Sequence, residues 1–93
     1  MEKLLSIMQT LREKCPWNQA QTPMILTRYA IEEAYEVEDA VRSGDAQHVK
    51  EELGDLLLQV VFQAQMYSEQ GVFDFNDVVE SISEKLIRRH PHV

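Results

Sequence analysis

Apolar residues recur at helical spacing along most of this chain, and short turn-forming segments separate the runs. Leu4, Leu5, Ile7, Met8 and Leu11 make a stripe of period 3.6, which predicts a first helix over about residues 2 to 14. Cys15-Pro16-Trp17-Asn18 interrupts it, because a proline lacks an N–H and restricts the residue before it; a loop is expected to about Thr22. Thr22-Pro23 has the form of an N-cap followed by proline at the first helical position, so a second helix is expected to about Ser43. Gly44 suits the left-handed residue that ends it, and Asp45 suits the cap of the next. A third helix, about Ala46 to Gln70, carries Leu53, Leu56, Leu57, Val60, Val61 and Ala64 on one stripe and stops at Gly71. Val72 to Asn76 reads as a turn with Asp74 or Asn76 as cap, and a fourth helix is expected from about Asp77 to Arg89, stopped by Pro91. No period-two alternation competes, so the expectation is an all-α domain of four helices over residues 1–93.

Composition agrees with a folded, helix-rich domain: 44% of residues are hydrophobic, and there are only three glycines and three prolines. Ninety-three residues make one domain whose surface is large for its volume, so a homo-oligomer, dimer or tetramer, is expected. No apolar run approaches a membrane span and Met1-Glu2-Lys3 does not open a secretory signal, which reads as a cytoplasmic protein without membrane contact. Cys15 is alone, ruling out an internal disulfide, and its neighbours Pro16 and Trp17 favour a structural or pocket-lining thiol over a nucleophile. A net charge of -7 opposes nucleic-acid binding. The stretch Lys85 to His90 is nevertheless basic, which leaves room for a smaller phosphate-bearing ligand. The chain stops at His92-Val93 without a polar tail, as a piece of a longer protein would.

Candidate chemistry lies in two acidic tetrads, Glu33-Ala34-Tyr35-Glu36 and Glu52-Leu53-Gly54-Asp55, each placing two carboxylates one helical turn apart. The short Gly44-Asp45 link makes the two long helices antiparallel neighbours and sets the tetrads at comparable heights. Carboxylates converging without His or Cys repel one another unless a hard divalent cation, Mg²⁺ or Mn²⁺, stands between them. The helical neighbours of Glu33 are Tyr29, Ala30, Glu36 and Val37, an apolar frame, whereas Glu32 has the more polar Arg28, Tyr29, Tyr35 and Glu36. Glu33 is therefore expected to point inward as a ligand and Glu32 to serve beside it, as a supporting or base residue; Glu36 stands between the two faces. Gly54, inside a helix, is expected to mark close approach of another backbone or ligand. Solvated acidic faces are common on helices, so spacing alone leaves a purely structural reading open. Lys85, Arg88 and Arg89 could equally favour a helix C-terminus through its dipole, and Trp17 could be a core residue. The three histidines show no Glu-x-x-His spacing, which excludes a ferritin-like di-iron site.

Four segments together resemble the MazG nucleoside triphosphate pyrophosphohydrolases: Cys15-Pro16-Trp17, Glu32-Glu33-Ala34-Tyr35-Glu36-Val37, Glu51-Glu52-Leu53-Gly54-Asp55-Leu56-Leu57 and Arg88-Arg89-His90-Pro91-His92-Val93. The likeness is strongest to the first of two tandem domains in longer bacterial members. It implies a helical-bundle dimer or higher assembly that hydrolyses nucleoside triphosphates to monophosphate and pyrophosphate in nucleotide-pool housecleaning. It also implies Mg²⁺ ligands at Glu33, Glu36, Glu52 and Asp55, water positioning or deprotonation by Glu32 or Glu36, triphosphate contacts at Lys85, Arg89 and the adjacent Arg88, and a base pocket lined by Trp17. Two positions depart from the family pattern: Asn18 stands where Asp usually follows Cys-Pro-Trp, and His48 stands where some members have a phosphate-binding lysine. A catalytically weak nucleotide-binding or dimerisation module is the alternative that these departures and a tandem arrangement leave open.

Overall fold

Helix α1 (Glu2–Lys14) ends where Cys15 turns to an extended conformation. Proline at the first position then starts a one-turn helix, α2 (Pro16–Gln19), inside the segment expected to be a loop. The same residue that stops α1 thus begins α2, because its fixed φ suits a first turn and its missing N–H is not needed there. Thr22 caps α3 (Pro23–Ser43), accepting from the Ile25 N–H at 3.3 Å. Gly44, at φ 77°, ends it in the left-handed conformation, and the Asp45 carboxylate caps α4 (Ala46–Glu69) through the Gln47 and His48 N–H groups. Gly71 is likewise left-handed, at φ 73°. α5 (Phe75–Arg89) begins two residues earlier than the apolar pattern indicates, because Asp74 and Asp77 form a reciprocal capping box. The computed structural model describes Met1–Val93. It is all-α, with four long helices, one short one and no strand.

α3 and α4 pack as an antiparallel hairpin whose open end is tied by the Gln63 carboxamide, donating to the Pro23 carbonyl at 2.9 Å. α1 lies against α4, and Met8, Leu26, Val61, Phe62 and Met66 form the core, with Leu4, Leu5, Leu58 and Phe75 packed against it. Arg12 braces this end. Its guanidinium grips the Glu69 carboxylate through two hydrogen bonds of 2.7 and 2.8 Å, donates to the carbonyls of Asn18 and Gln21, and lies 5.9 Å from the centre of the Phe62 ring.

Much apolar surface stays open. Ile7, Leu53, Leu57, Val60, Ile82, Leu86 and Ile87 are exposed, so only part of the expected stripes is buried within one copy. α5 packs on α4 alone, and every residue from 84 to 93 is exposed. The close approach expected at Gly54 is absent: a Cβ built there would meet nothing within 4 Å in this chain.

Candidate functional site

The α3–α4 hairpin brings Glu33, Glu52 and Asp55 together, and one carboxylate oxygen from each lies within 4.8 Å of the others. The tight Gly44-Asp45 turn sets this register; helical spacing then puts Glu52 and Asp55 on the side of α4 that faces Glu33. Glu33 and Glu52 are half-buried and Asp55 is exposed. The Glu33 Oε2 atom is buried without a hydrogen-bond partner. Burial, followed by the close Glu52 carboxylate and the negative charges of Asp55 and Glu36, holds the Glu33 carboxyl above its usual range. A buried, unpaired acceptor among like charges is costly, and a hard divalent ion would satisfy such an all-oxygen donor set.

Glu36 lies one turn beyond Glu33, exposed and outside the trio, although its charge reaches Glu33. Glu32 is also exposed; it lines an outer groove of about 500 Å³ with Met24, Ile25, Thr27, Arg28 and Tyr29. None of the surface grooves of the single chain is lined by Glu33, Glu52 or Asp55. The His48 imidazole stands 3.5 Å from a Glu52 oxygen, one turn away on α4. The i, i+4 spacing of His48 and Glu52 signals this pairing.

The basic residues occupy a different part of the chain. Lys85 lines a groove with Phe73, Asp77, Val78, Ser81 and Ile82, and it shares no groove with the acidic trio. The ion pairs of the chain join Arg12 to Glu69, Arg42 to Glu38 and His48 to Glu52, so Lys85, Arg88 and Arg89 are unpaired. Trp17 is 54% exposed and not a core residue; its ring meets Tyr29 and Phe62 edge to face, at centroid distances of 6.3 and 6.4 Å. Asn18 is buried, its carbonyl held by Arg12, and its backbone and side chain hydrogen-bond to the half-buried Cys15 thiol, lowering that group's pKa. That position serves the local fold in this chain.

Residues 21–93 match the family model described as the MazG nucleotide pyrophosphohydrolase domain. Across its full length the chain is 53% identical to the nucleoside triphosphate pyrophosphohydrolase of Escherichia coli (strain K12), of which it covers 36%. Over 99% of its length it is 52% identical to the nucleoside triphosphate pyrophosphohydrolase/pyrophosphatase MazG of Thermotoga maritima, of which it covers 37%. The chain therefore spans about a third of the length of these curated relatives. The crystal structure of a mazG-related protein from Thermotoga maritima superposes with a TM-score of 0.86 at 28% identity, covering 98% of this chain and 80% of that one.

Proposed function

Because this chain belongs to the MazG nucleotide pyrophosphohydrolase family, we propose that it hydrolyses nucleoside triphosphates between the α- and β-phosphates, yielding a nucleoside monophosphate and pyrophosphate. The observation that carries this reading is the convergence of Glu33, Glu52 and Asp55 around a buried, unpartnered Glu33 oxygen. These three residues, with Glu36 at the rim, would hold Mg²⁺, or Mn²⁺ in its place. When bound, the cation neutralises phosphate charge and acidifies water.

The exposed carboxylates of Glu32 and Glu36 are the candidate bases that accept the proton from a water attacking phosphorus in line with the leaving pyrophosphate. Trp17 is the candidate surface for the base, with its exposed ring steadied by Tyr29 and Phe62. Lys85, Arg88 and Arg89 are unpaired cations suited to the triphosphate charge. Their setting on the protruding α5, together with the open apolar surface, supports a homo-oligomer in which a second copy completes the walls around the acidic residues. Activity on the cytoplasmic nucleotide pool is the role that follows.

The test is release of pyrophosphate from a panel of nucleoside triphosphates with Mg²⁺, for the wild type and Glu52→Gln. The substitution is expected to lower kcat/KM by roughly 100-fold or more, the scale on which several kcal/mol of charge stabilisation acts. No release from the wild type, or release unchanged in Glu52→Gln, would sink the reading. Mg²⁺-dependent nucleotide binding without turnover would instead assign the chain to a nucleotide-binding module.

A further inference from the structure

Gln59 is half-buried on α4 between Asp55 of the acidic trio and Phe62 of the aromatic cluster, on the face that turns to α3 at Gln63. Its carboxamide makes no hydrogen bond to the protein, and its Oε1 atom is buried. The next carboxamide along this face, that of Gln63, is used by the fold and holds the Pro23 carbonyl. Residues 52, 55 and 59 follow one another at i, i+3 and i+7, so Gln59 lies one turn, about 6 Å, along the axis from Asp55. Phe62, which carries the Trp17 ring, follows three residues later. A buried acceptor without a donor carries the full desolvation cost of that oxygen, so such groups in folded chains are normally paired.

Building on the pyrophosphohydrolase reading, we propose that Gln59 is a specificity residue that reads the nucleoside: its carboxamide oxygen accepts a hydrogen bond from a nucleoside donor while the base rests against Trp17. The order along the hairpin matches the order within a nucleotide. Phosphates belong at Glu33, Glu52 and Asp55, the base belongs at the Trp17, Tyr29 and Phe62 cluster, and the orphan acceptor lies between them. The missing donor is a sugar hydroxyl or a base amino group, both of which present an N–H or O–H to a carbonyl-type oxygen.

Gln59→Met keeps the volume and removes the polar head; Gln59→Glu keeps an acceptor of similar shape. For each variant and the wild type, KM and kcat are measured with Mg²⁺ on ATP, ITP and 2′,3′-dideoxy-ATP, and inorganic tripolyphosphate is titrated as a competitor carrying no nucleoside. Gln59→Met is expected to raise KM for ATP about tenfold with kcat held within about twofold, the scale of one hydrogen bond. Tripolyphosphate affinity should not change. The KM penalty should vanish for ITP if the donor is the amino group, or for the dideoxy substrate if it is a sugar hydroxyl. The melting temperature of Gln59→Met without nucleotide should equal or exceed that of the wild type.

Three results overturn the proposal: an ATP KM within twofold of wild type, equal penalties on all nucleotides and tripolyphosphate, or a lower melting temperature in Gln59→Met, which would place the carboxamide in the fold's own bonding. With a wild type that binds nucleotide but does not turn it over, dissociation constants replace KM under the same criteria. A wild type that neither hydrolyses nor binds nucleotide removes the proposed function itself, and this inference with it.

Discussion

At the scale of single residues, Glu33 carries the strongest electrostatic consequence. Its carboxyl is held above the ordinary range by burial first, then by Glu52, Asp55 and Glu36. A raised carboxyl means the folded chain resists the charged form. The contribution of Glu33 to stability is therefore most favourable below the ordinary carboxylate range, and it is lost as the pH rises through the raised value. Glu33→Gln removes that charge, so without divalent cations it should melt higher than the wild type at about pH 7, and the difference should close towards about pH 4. Calorimetry of both proteins over that range checks it; a lower melting temperature for Glu33→Gln at neutral pH would contradict it. Saturating Mg²⁺ should stabilise the wild type by about 2.7 kcal/mol at 100 times its Kd and leave Glu33→Gln nearly unmoved. The inward turn of Glu33 against the exposure of Glu32 was legible from their i±3 and i±4 neighbours, since those neighbours decide which helix face is apolar. The orphan oxygen of Gln59 was not legible, because an unpaired atom is defined by everything around it.

At the scale of elements, the Arg12 brace holds α1, α2 and α4 together. Its partner Glu69 lies 57 residues away, and no local pattern reports such a pair. The Arg12 hydrogen bond holds the Glu69 carboxyl below its usual range. That contribution is present above the ordinary carboxylate range and is lost as the pH falls through the lowered value. Arg12→Ala removes the ion pair, two carbonyl contacts and the stacking on Phe62, and should destabilise the fold by about 1–3 kcal/mol. In urea the midpoint should drop by roughly 1 M, and the loss relative to wild type should shrink at acid pH. A midpoint within error of wild type would show that the brace is idle in solution. The helix ends, by contrast, were written locally. Thr22-Pro23, Gly44-Asp45 and the Asp74/Asp77 pair act through their own backbone preferences and caps. α2 escaped because one proline serves both as the breaker of one helix and the starter of the next.

At the scale of the whole molecule, one copy is too open for its size. Its surface is 6934 Å² against about 5500 Å² for a folded monomer of this mass, and its radius of gyration is 15.2 Å against roughly 12 Å. Leu53, Leu57 and Val60, exposed by 49%, 38% and 41%, follow at i, i+4 and i+7 and so make an apolar patch along one face of α4, the helix that carries Glu52 and Asp55. A homo-oligomer covering that patch is expected to come apart in Leu57→Glu, since a buried unpaired charge opposes association. Light scattering coupled to size exclusion should show the wild type at a multiple of 10.8 kDa and the variant at or near it; a monomeric wild type would refute the assembly. Pyrophosphate release should fall with the assembly if the second copy walls the site. From residue order alone came the all-α class, the four long helices, most of their caps and the two acidic tetrads as candidate ligands, because capping, periodicity and a two-residue turn act over a few positions. Three-dimensional packing settled that Glu33, Glu52 and Asp55 meet while Glu36 stays at the rim, that Lys85 lies in a separate groove, and that Trp17 is open. Those outcomes depend on how whole helices seat against one another, a balance of contacts distant in sequence.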